Sequence, residues 1–207
     1  MNWPQSAEHR IWVEWLSARL AHAPRPEGGD FPIEQESRPA AVLIPIVPRA
    51  SGATILLTER AAHLPTHAGQ ISFPGGRVED EDADDIAAAL RESAEEIGLD
   101  ARYVHVVGTL GCYYTVSAYA VTPVVGVLDP DFELTPCADE VEHAFELPLA
   151  LLLDPAKYER RWVERRGLRG QTHFIEIGDY IVWGATANML LMLASALGVE
   201  GSPSIVD

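Results

Sequence analysis

The sequence predicts an α/β fold of the α+β type, in which a mixed β-sheet carries helices on both of its faces. Helical and strand patterns interleave along the chain, but without the regular strand-helix-strand rhythm of a parallel sheet. Hydrophobic residues make up 47% and charged residues 22% of the 207 residues, which is typical of a globular protein. Because a domain holds about 150 residues, this length favours one full-sized domain with extensions.

The N-terminal part predicts one amphipathic helix and an extended connection. In residues 5–22, large apolar side chains recur at helical spacing. They are Trp12, Trp15, Leu16 and Leu20. From Ala23 the chain becomes dense in Pro, Gly and acidic residues, which are typical of an extended segment. We therefore assign residues 1–38 to an N-terminal helix and connection, residues 39–200 to the core domain, and residues 201–207 to a tail.

The core domain predicts several strands and two helices. Five segments are apolar and rich in β-branched residues, which favours strands. They are residues 40–48, 53–60, 103–115, 118–128 and 172–183. Asp84 or Asp85 predicts the start of a helix by capping its first turn, and Gly98 predicts its end. The apolar stretch from Ile181 to Val199 predicts a buried C-terminal helix, because polar residues interrupt it and it lacks the flanking Lys or Arg of a membrane span.

The charge balance excludes one class of partner. The chain has 15 Lys and Arg against 31 Asp and Glu, which gives a formal net charge of −16 at pH 7. Binding of nucleic acid through a basic surface needs many cations that displace counterions from phosphates, so we expect no nucleic-acid partner. An anionic small molecule is compatible with this charge if local arginines or divalent metal ions offset the field of the protein.

The cysteines and the N-terminus predict the compartment. Cys112 and Cys137 are the only cysteines, which is too few for a disulfide framework and fits a reducing environment. The N-terminus carries charges where a secretion signal needs an uninterrupted apolar segment. We expect a cytoplasmic protein without a membrane partner. The sequence leaves the oligomeric state open, a homodimer included.

Three carboxylates lie close together on the helix that follows Asp85. At about 100° per residue, four aliphatic side chains form an apolar stripe on this helix. They are Ile86, Leu90, Ala94 and Ile97. Glu92, Glu95 and Glu96 centre roughly 190° away from that stripe and repel one another. A solvated acidic face is one interpretation, and a site for Mg²⁺ or Mn²⁺, which prefer hard oxygen ligands, is the other.

The spacing around these acids resembles the signature of the Nudix hydrolases. That signature is a Gly and, after a loop, REUxEExGU with U aliphatic; here Gly76 precedes RESAEEIGL at residues 91–99. Ser93 replaces an aliphatic residue, and the loop is one residue longer, with Asp82 near the position of the loop Glu. The resemblance implies an α/β/α sandwich whose mixed sheet holds a loop-helix-loop catalytic unit. It also implies metal-dependent hydrolysis of a nucleoside diphosphate linked to another group.

The upstream sequence resembles the coenzyme A pyrophosphatase branch of that family. The branch motif is LLTxR[SA]xxxRxxxGxxxFPGG, and residues 56–76 read LLTERAAHLPTHAGQISFPGG, with Pro65 in place of the second Arg. The resemblance covers roughly residues 40–195. It implies that a metal-activated water cuts coenzyme A into 3′,5′-adenosine bisphosphate and 4′-phosphopantetheine. The alternatives are a Nudix diphosphatase for ADP-ribose or NADH, and a Nudix-fold nucleotide-binding module without turnover.

The acidic residues and the arginine of the signature have expected roles. Glu92, Glu95 and Glu96 are expected to bind Mg²⁺ or Mn²⁺. Glu92, Glu95 or the loop residue Glu140 is expected to act as general base, although Glu140 also reads as an ordinary surface carboxylate. Arg91 is expected to orient a neighbouring Glu through a bidentate contact rather than to touch the substrate.

Further residues around the glycine loop are candidates for substrate binding. Arg60 and Arg77 bracket this loop and suit phosphate, although either could instead balance nearby acids. Gly75 and Gly76 allow the backbone to turn sharply and to approach a ligand, and a plain tight turn is the alternative. His67 lies in the upstream motif and could donate a hydrogen bond to phosphate, or could be a surface histidine.

Overall fold

The computed structural model describes residues 3–30, 36–64, 66–165 and 168–206. Its helices are α1 (His9–Leu20), α2 (Asp85–Ile97), α3 (Leu149–Leu152) and α4 (Ala185–Ala196), with 3₁₀ turns at Ala101–Tyr103 and Pro155–Lys157. Its strands are β1 (Gly28–Gly29), β2 (Arg38–Val47), β3 (Thr54–Arg60), β4 (Ile71–Ser72), β5 (Gly75–Arg77), β6 (Val104–Thr109), β7 (Tyr113–Tyr114), β8 (Tyr119–Leu128), β9 (Val141–Pro148), β10 (Glu159–Arg165), β11 (Leu168–Ile177), β12 (Tyr180–Trp183) and β13 (Ser204–Ile205).

The larger of two sheets is mixed, as predicted. Its central strand β2 pairs in parallel with β8, from Arg38 opposite Tyr119 to Ile46 opposite Val127. The same strand pairs antiparallel with β3 and with β5. β9 and β4 extend the sheet beyond β3, whereas β6 and β7 pair with β8, and β1 pairs with β7. Parallel and antiparallel neighbours therefore meet on one strand.

Helices cover both faces of this sheet, which confirms the predicted fold class. Along β2, Ile44 and Ile46 belong to a buried cluster that includes residues of α1 and α4. Leu43 and Val47 belong to a second buried cluster, which includes residues of α2. Because successive side chains of a strand point to opposite faces, β2 contributes to two cores at once. Each core buries apolar surface, which is the main term that stabilises a domain of this size.

Helix α1 is shorter than predicted, because it begins at His9 rather than near residue 5. Trp12, Leu16 and Leu20 are fully buried, so the predicted apolar stripe does face the sheet. Trp15 is only partly buried, and the Arg19 guanidinium lies 3.8 Å from the centre of its ring. The edge of the stripe is thus covered by a cation–π contact.

The C-terminal part differs from the prediction in two respects. Strands β10 to β13 form a separate four-stranded sheet, and β10 was not predicted, because its sequence ERRWVER lacks an apolar run. The C-terminal helix begins only at Ala185, since Tyr180–Trp183 form β12 and Gly184 separates the two with φ 67° and ψ −138°. Among the described residues, no helix combines the length and the apolar character that a membrane crossing requires.

Candidate active site

The signature helix α2 is fixed at both ends by the residues that the sequence indicates. Asp84 is its N-cap and accepts a hydrogen bond of 2.8 Å from the backbone N–H of Ala87. Gly98 ends the helix at φ 68°, in the left-handed region that favours glycine. The following loop binds the last carbonyls, since Thr135 N–H donates to Ile97 and Cys137 N–H donates to Glu96, both at 2.8 Å.

The orientation of α2 about its axis differs from the prediction. The buried residues of this helix are Ala88, Ala89, Ser93, Glu96 and Ile97. Ala94, which was assigned to the apolar stripe, is exposed. At 100° per residue the buried face is thus rotated by roughly 100° from the predicted stripe. The small alanines allow close packing on the sheet, and the carboxylates lie at the edge of the buried face rather than opposite to it.

Two glycines of β5 make room for these carboxylates. Gly76 lies opposite Ala41 of β2, and a Cβ atom at Gly76 would stand 2.4 Å from the carboxyl carbon of Glu92. Gly75 has φ 150°, and a Cβ there would stand 2.4 Å from the carbonyl oxygen of Ala41. Any side chain at Gly76 would displace the carboxylate, so glycine is required by a close approach and not only by a turn.

Arg91 organises the acidic residues of the site. Its Nε and one terminal nitrogen donate to both oxygens of Asp82, at 3.0 and 2.9 Å. The other terminal nitrogen donates to Glu92 at 3.1 Å and to Glu95 at 3.0 Å. The bidentate partner is therefore the loop residue Asp82, and not a glutamate as predicted, because the longer loop brings Asp82 onto the guanidinium edge. Arg91 also donates to the carbonyl of Arg77 at 2.9 Å, which ties the helix to β5.

Glu96 is the most buried of the three carboxylates, with 4% of the residue exposed. One of its oxygens accepts a hydrogen bond of 3.0 Å from Gly75 N–H, and the other lies 3.7 Å from an Arg60 nitrogen. Burial raises the pKa of the Glu96 carboxyl to about 7, and the charges of Glu92 and Glu140 add to that rise, while Gly75 and Arg60 oppose it. The structure thus concentrates negative charge that has little solvent to stabilise it.

Glu92 and Glu140 belong to the same acidic environment. Burial raises the pKa of the Glu92 carboxyl, the contact with Arg91 opposes this, and the charges of Glu95 and Glu140 reinforce it. Glu140 itself is exposed, and its backbone carbonyl accepts a hydrogen bond of 2.9 Å from Ala61 N–H. The structure therefore brings the loop carboxylate of Glu140 within electrostatic reach of the helix carboxylates.

The oxygen atoms of these carboxylates are the type of ligand that a hard divalent cation prefers. Three carboxylates offer oxygen atoms as ligands, and a cation would offset the burial and the repulsion that raise the pKa of Glu96. In the part of the chain that the structure describes, no three His, Cys, Asp or Glu side chains converge in the geometry of a finished metal site. The reason is visible in the contacts, because Arg91 holds Glu92 and Glu95 while Gly75 holds Glu96.

A cavity of about 260 Å³ lies beside Gly75, on the face of the sheet that α4 covers. Arg60, Gly75, His67 and Tyr119 are among the residues that line it. Thr186, at the start of α4, donates a hydrogen bond of 3.0 Å to the Ile71 carbonyl and so fixes the helix above the cavity. Three of the predicted substrate-binding residues therefore share one cavity.

The remaining predicted residues lie at the margin of this cavity or beyond the described residues. Gly76 faces Glu92 rather than the cavity. Arg77 is exposed, and its Nε donates a hydrogen bond of 3.0 Å to the Tyr119 hydroxyl. Pro65, which replaces the second Arg of the branch motif, lies outside the described residues.

Sequence reasoning did not identify several residues that line the cavity. Asp30 comes from the N-terminal connection, Tyr119 from the start of β8, and Trp183, Thr186 and Met189 from the C-terminal part. Two of these segments lie within the stretch that resembles the coenzyme A pyrophosphatase branch, which was the available signal. Their convergence depends on the pairing of distant strands, which no local pattern indicates.

Matches to known proteins agree with the site. The NUDIX domain matches residues 37–166, more than half of the chain. A protein named "Uncharacterized Nudix hydrolase NudL" from Escherichia coli K12 is 45% identical over 163 residues, which cover 79% of this chain and 84% of that protein. The protein of the same name from Shigella boydii serotype 18 matches with the same identity and coverage.

Solved structures show weaker similarity. The C. elegans Ap4A hydrolase binary complex has a TM-score of 0.44 and 23% identity, and covers 54% of this chain and 80% of that chain. The M. smegmatis Nudix hydrolase RenU has a TM-score of 0.44 and 19% identity, with coverages of 56% and 73%. Assignment to a family thus depends on the sequence matches, and the range of the NUDIX match, residues 37–166, spans the glycine loop and the signature helix. The chain belongs to the Nudix hydrolase family.

Proposed function

We propose that the protein hydrolyses the diphosphate bond of coenzyme A or of its derivatives, giving 3′,5′-adenosine bisphosphate and 4′-phosphopantetheine or its acyl form. As a Nudix hydrolase it acts on nucleoside diphosphate derivatives. The choice of coenzyme A is supported by the upstream motif at residues 56–76. The two free cysteines, Cys112 and Cys137, support a reducing compartment such as the cytoplasm.

The proposal depends on the position of Arg60, between the Glu96 carboxylate and the cavity. Its guanidinium lies 3.7 Å from Glu96, and the same residue lines the cavity. Its Nε is buried and has no hydrogen-bond partner among the described residues. A buried donor without a partner is costly unless a ligand satisfies it. A diphosphate in the cavity would accept this hydrogen bond, and it would lie directly beside the carboxylates of α2.

Glu92, Glu95 and Glu96 would hold the divalent cation, Mg²⁺ or Mn²⁺. When bound, such an ion neutralises the diphosphate and activates water for attack on phosphorus. Arg91 would hold the Glu92 and Glu95 carboxylates in place through the contacts that the structure shows. Arg60 and the Gly75 backbone would position the diphosphate against them.

Glu140 or Glu92 would accept the proton of the attacking water. The loop of Glu140 is attached to the signature helix, because Cys137 N–H donates a hydrogen bond to the backbone carbonyl of Glu96. Burial already raises the pKa of the Glu92 carboxyl, which brings it closer to the value that a general base needs at neutral pH. Glu140→Gln and Glu92→Gln should therefore differ in the pH dependence of kcat, and the true base is the residue whose loss removes the acidic limb.

The substrate is identified by incubating the purified protein in Mn²⁺ with coenzyme A, ADP-ribose and NADH and determining the product masses. We expect the masses of 3′,5′-adenosine bisphosphate and 4′-phosphopantetheine, and no turnover in excess chelator. Arg60→Gln should raise KM at least about tenfold, because one hydrogen bond to a charged group is lost. Preferred cleavage of ADP-ribose or NADH would show that this compound, and not coenzyme A, is the substrate. Binding of all three without turnover would indicate a nucleotide-binding module.

A further inference from the structure

Two arginines contact Tyr119, which lines the cavity. The Arg38 guanidinium lies over the Tyr119 ring, 4.3 Å from its centre. Arg77 donates a hydrogen bond of 3.0 Å to the Tyr119 hydroxyl, and its guanidinium lies 5.9 Å from the ring centre. Stacking on an aromatic ring restrains a guanidinium while leaving several of its N–H donors available.

Among the described residues, these two guanidinium groups form no ion pair with a carboxylate, unlike several other arginines. The arginines that contact a carboxylate include Arg49, Arg91, Arg102 and Arg161. Within residues 36–64 and 66–165, Arg38 and Arg77 instead contact Tyr119 and the Ser117 carbonyl, at 3.5 Å from Arg38. Asp30 lines the same cavity, but its carboxylate accepts hydrogen bonds from the Tyr113 hydroxyl and the Val116 N–H. In a chain with 31 acidic and 15 basic side chains, two neighbouring arginines that form no ion pair among the described residues make a local positive site.

The register of the sheet places this positive site away from the reacting carboxylates. Gly75, which binds Glu96, lies opposite Val42 of β2, whereas Tyr119 lies opposite Arg38. Four residues of strand separate Val42 from Arg38, which is roughly 13 Å at 3.3 Å per residue. Val42, Arg60 and Tyr119 all line the same cavity. A diphosphate held at Arg60 would therefore leave the two arginines at Tyr119 available to a second group of the same ligand.

We propose that Arg38 and Arg77, restrained by Tyr119, bind a phosphate of the substrate that is separate from the diphosphate that is cut. The substrate class is then a nucleoside diphosphate derivative that carries an additional phosphomonoester. This inference rests on the proposed function, because coenzyme A carries such a group at its 3′ position. It also separates coenzyme A from ADP-ribose and NADH, in which the only phosphates are those of the diphosphate.

The test measures binding and turnover separately. Binding of adenosine 3′,5′-bisphosphate and of 5′-AMP is measured by calorimetry with the wild type, Arg38→Gln and Arg77→Gln. We expect the wild type to prefer the bisphosphate at least about tenfold, the scale of one charged hydrogen bond, and each variant to lose most of that preference. In turnover, Arg38→Gln should raise KM for coenzyme A about tenfold, change KM for dephospho-coenzyme A less than about twofold, and affect KM for coenzyme A more than kcat.

Arg19→Gln is the matched control, because Arg19 is also exposed and stacked on an aromatic ring, that of Trp15, but lies on α1. It should keep the wild-type preference, and melting temperatures should show that all variants are folded. Equal binding of the two nucleotides by the wild type, or equal changes for both substrates in Arg38→Gln, would overturn the inference. Hydrolysis of coenzyme A without any such preference would leave the proposed function intact. A preference for the bisphosphate without hydrolysis of coenzyme A would support the phosphate site and refute the proposed function.

Discussion

Replacement of Glu96 by Gln should stabilise the metal-free protein while it impairs catalysis. Burial and neighbouring acids raise the pKa of the Glu96 carboxyl from 4.5 to about 7. Below pH 4.5 the group is protonated in both the folded and the unfolded state and has no effect on stability. Above that pH the unfolded state ionises first, so the carboxyl increasingly disfavours folding until the pH exceeds about 7. At 1.36 kcal/mol per pKa unit, the cost is about 1 kcal/mol at pH 5.5 and about 3 kcal/mol at pH 8.

The assay is urea denaturation in chelator at pH 5.5 and pH 8. Glu96→Gln carries no charge at either pH, so its free energy of unfolding should exceed that of the wild type by these amounts. Its kcat/KM in Mn²⁺ should fall at least about 100-fold, because a candidate metal ligand has lost its charge. Added Mn²⁺ should then stabilise the wild type more than the variant, since a ligand that binds only the folded state shifts unfolding by mass action.

Glu95→Gln is the control on the same helix. The Glu95 side chain is 59% exposed and contacts Arg91, so its loss should reduce activity with little pH-dependent change in stability. The reasoning is refuted if Glu96→Gln and the wild type unfold at the same urea concentration at both pH values. Undiminished activity of Glu96→Gln, or full activity of the wild type in excess chelator, would refute the metal site.

Three further predictions concern the arginine, the glycine loop and the bond that breaks. Arg91→Lys should lower kcat/KM at least about tenfold and lower the urea midpoint of unfolding, because lysine lacks the fork that binds Asp82; wild-type kinetics and urea midpoint would contradict this. Gly76→Ala should lower kcat more than it raises KM, because its Cβ would displace the Glu92 carboxylate; the two constants and a circular dichroism spectrum check it. Hydrolysis in ¹⁸O-water should place label in a phosphate of one product; trapping of a phosphoryl-enzyme would exclude direct attack by water.

The ends of α2 could be predicted from the sequence, whereas its orientation could not. Asp84 and Gly98 act through local hydrogen bonds and backbone conformation, which nearby residues determine. The orientation depends on Gly75 and Gly76, whose missing side chains let Glu92 and Glu96 reach the sheet. A hydrophobic pattern predicts that carboxylates face solvent. It cannot predict the space for a carboxylate that glycines of another strand leave open.

The positive site at Tyr119 shows a second limit of sequence reasoning. Arg77 could be recognised because it adjoins the glycine loop, but Arg38 was assigned to the N-terminal connection, ahead of the strand predicted from residue 40. The two become neighbours because β5 and β8 both pair with β2. Such pairing depends on the whole sheet. The sequence predicts that Arg38 and Arg77 are neighbours only when the register of β2, β5 and β8 is known.

The alternation of side chains along β2 and β5 separates two tasks that many enzymes combine in one pocket. Gly76 and Ala41 face the helix of the carboxylates, whereas Gly75 and Val42 border the cavity on the other side. If the cavity holds the substrate as proposed, substitutions beneath α4 that leave Gly75 and Arg60 in place should change which nucleotide is accepted while the carboxylates keep their positions. A lineage of such proteins can diversify its substrates by drift on one side of the sheet, and a laboratory library confined to that side should yield altered specificity without loss of chemistry.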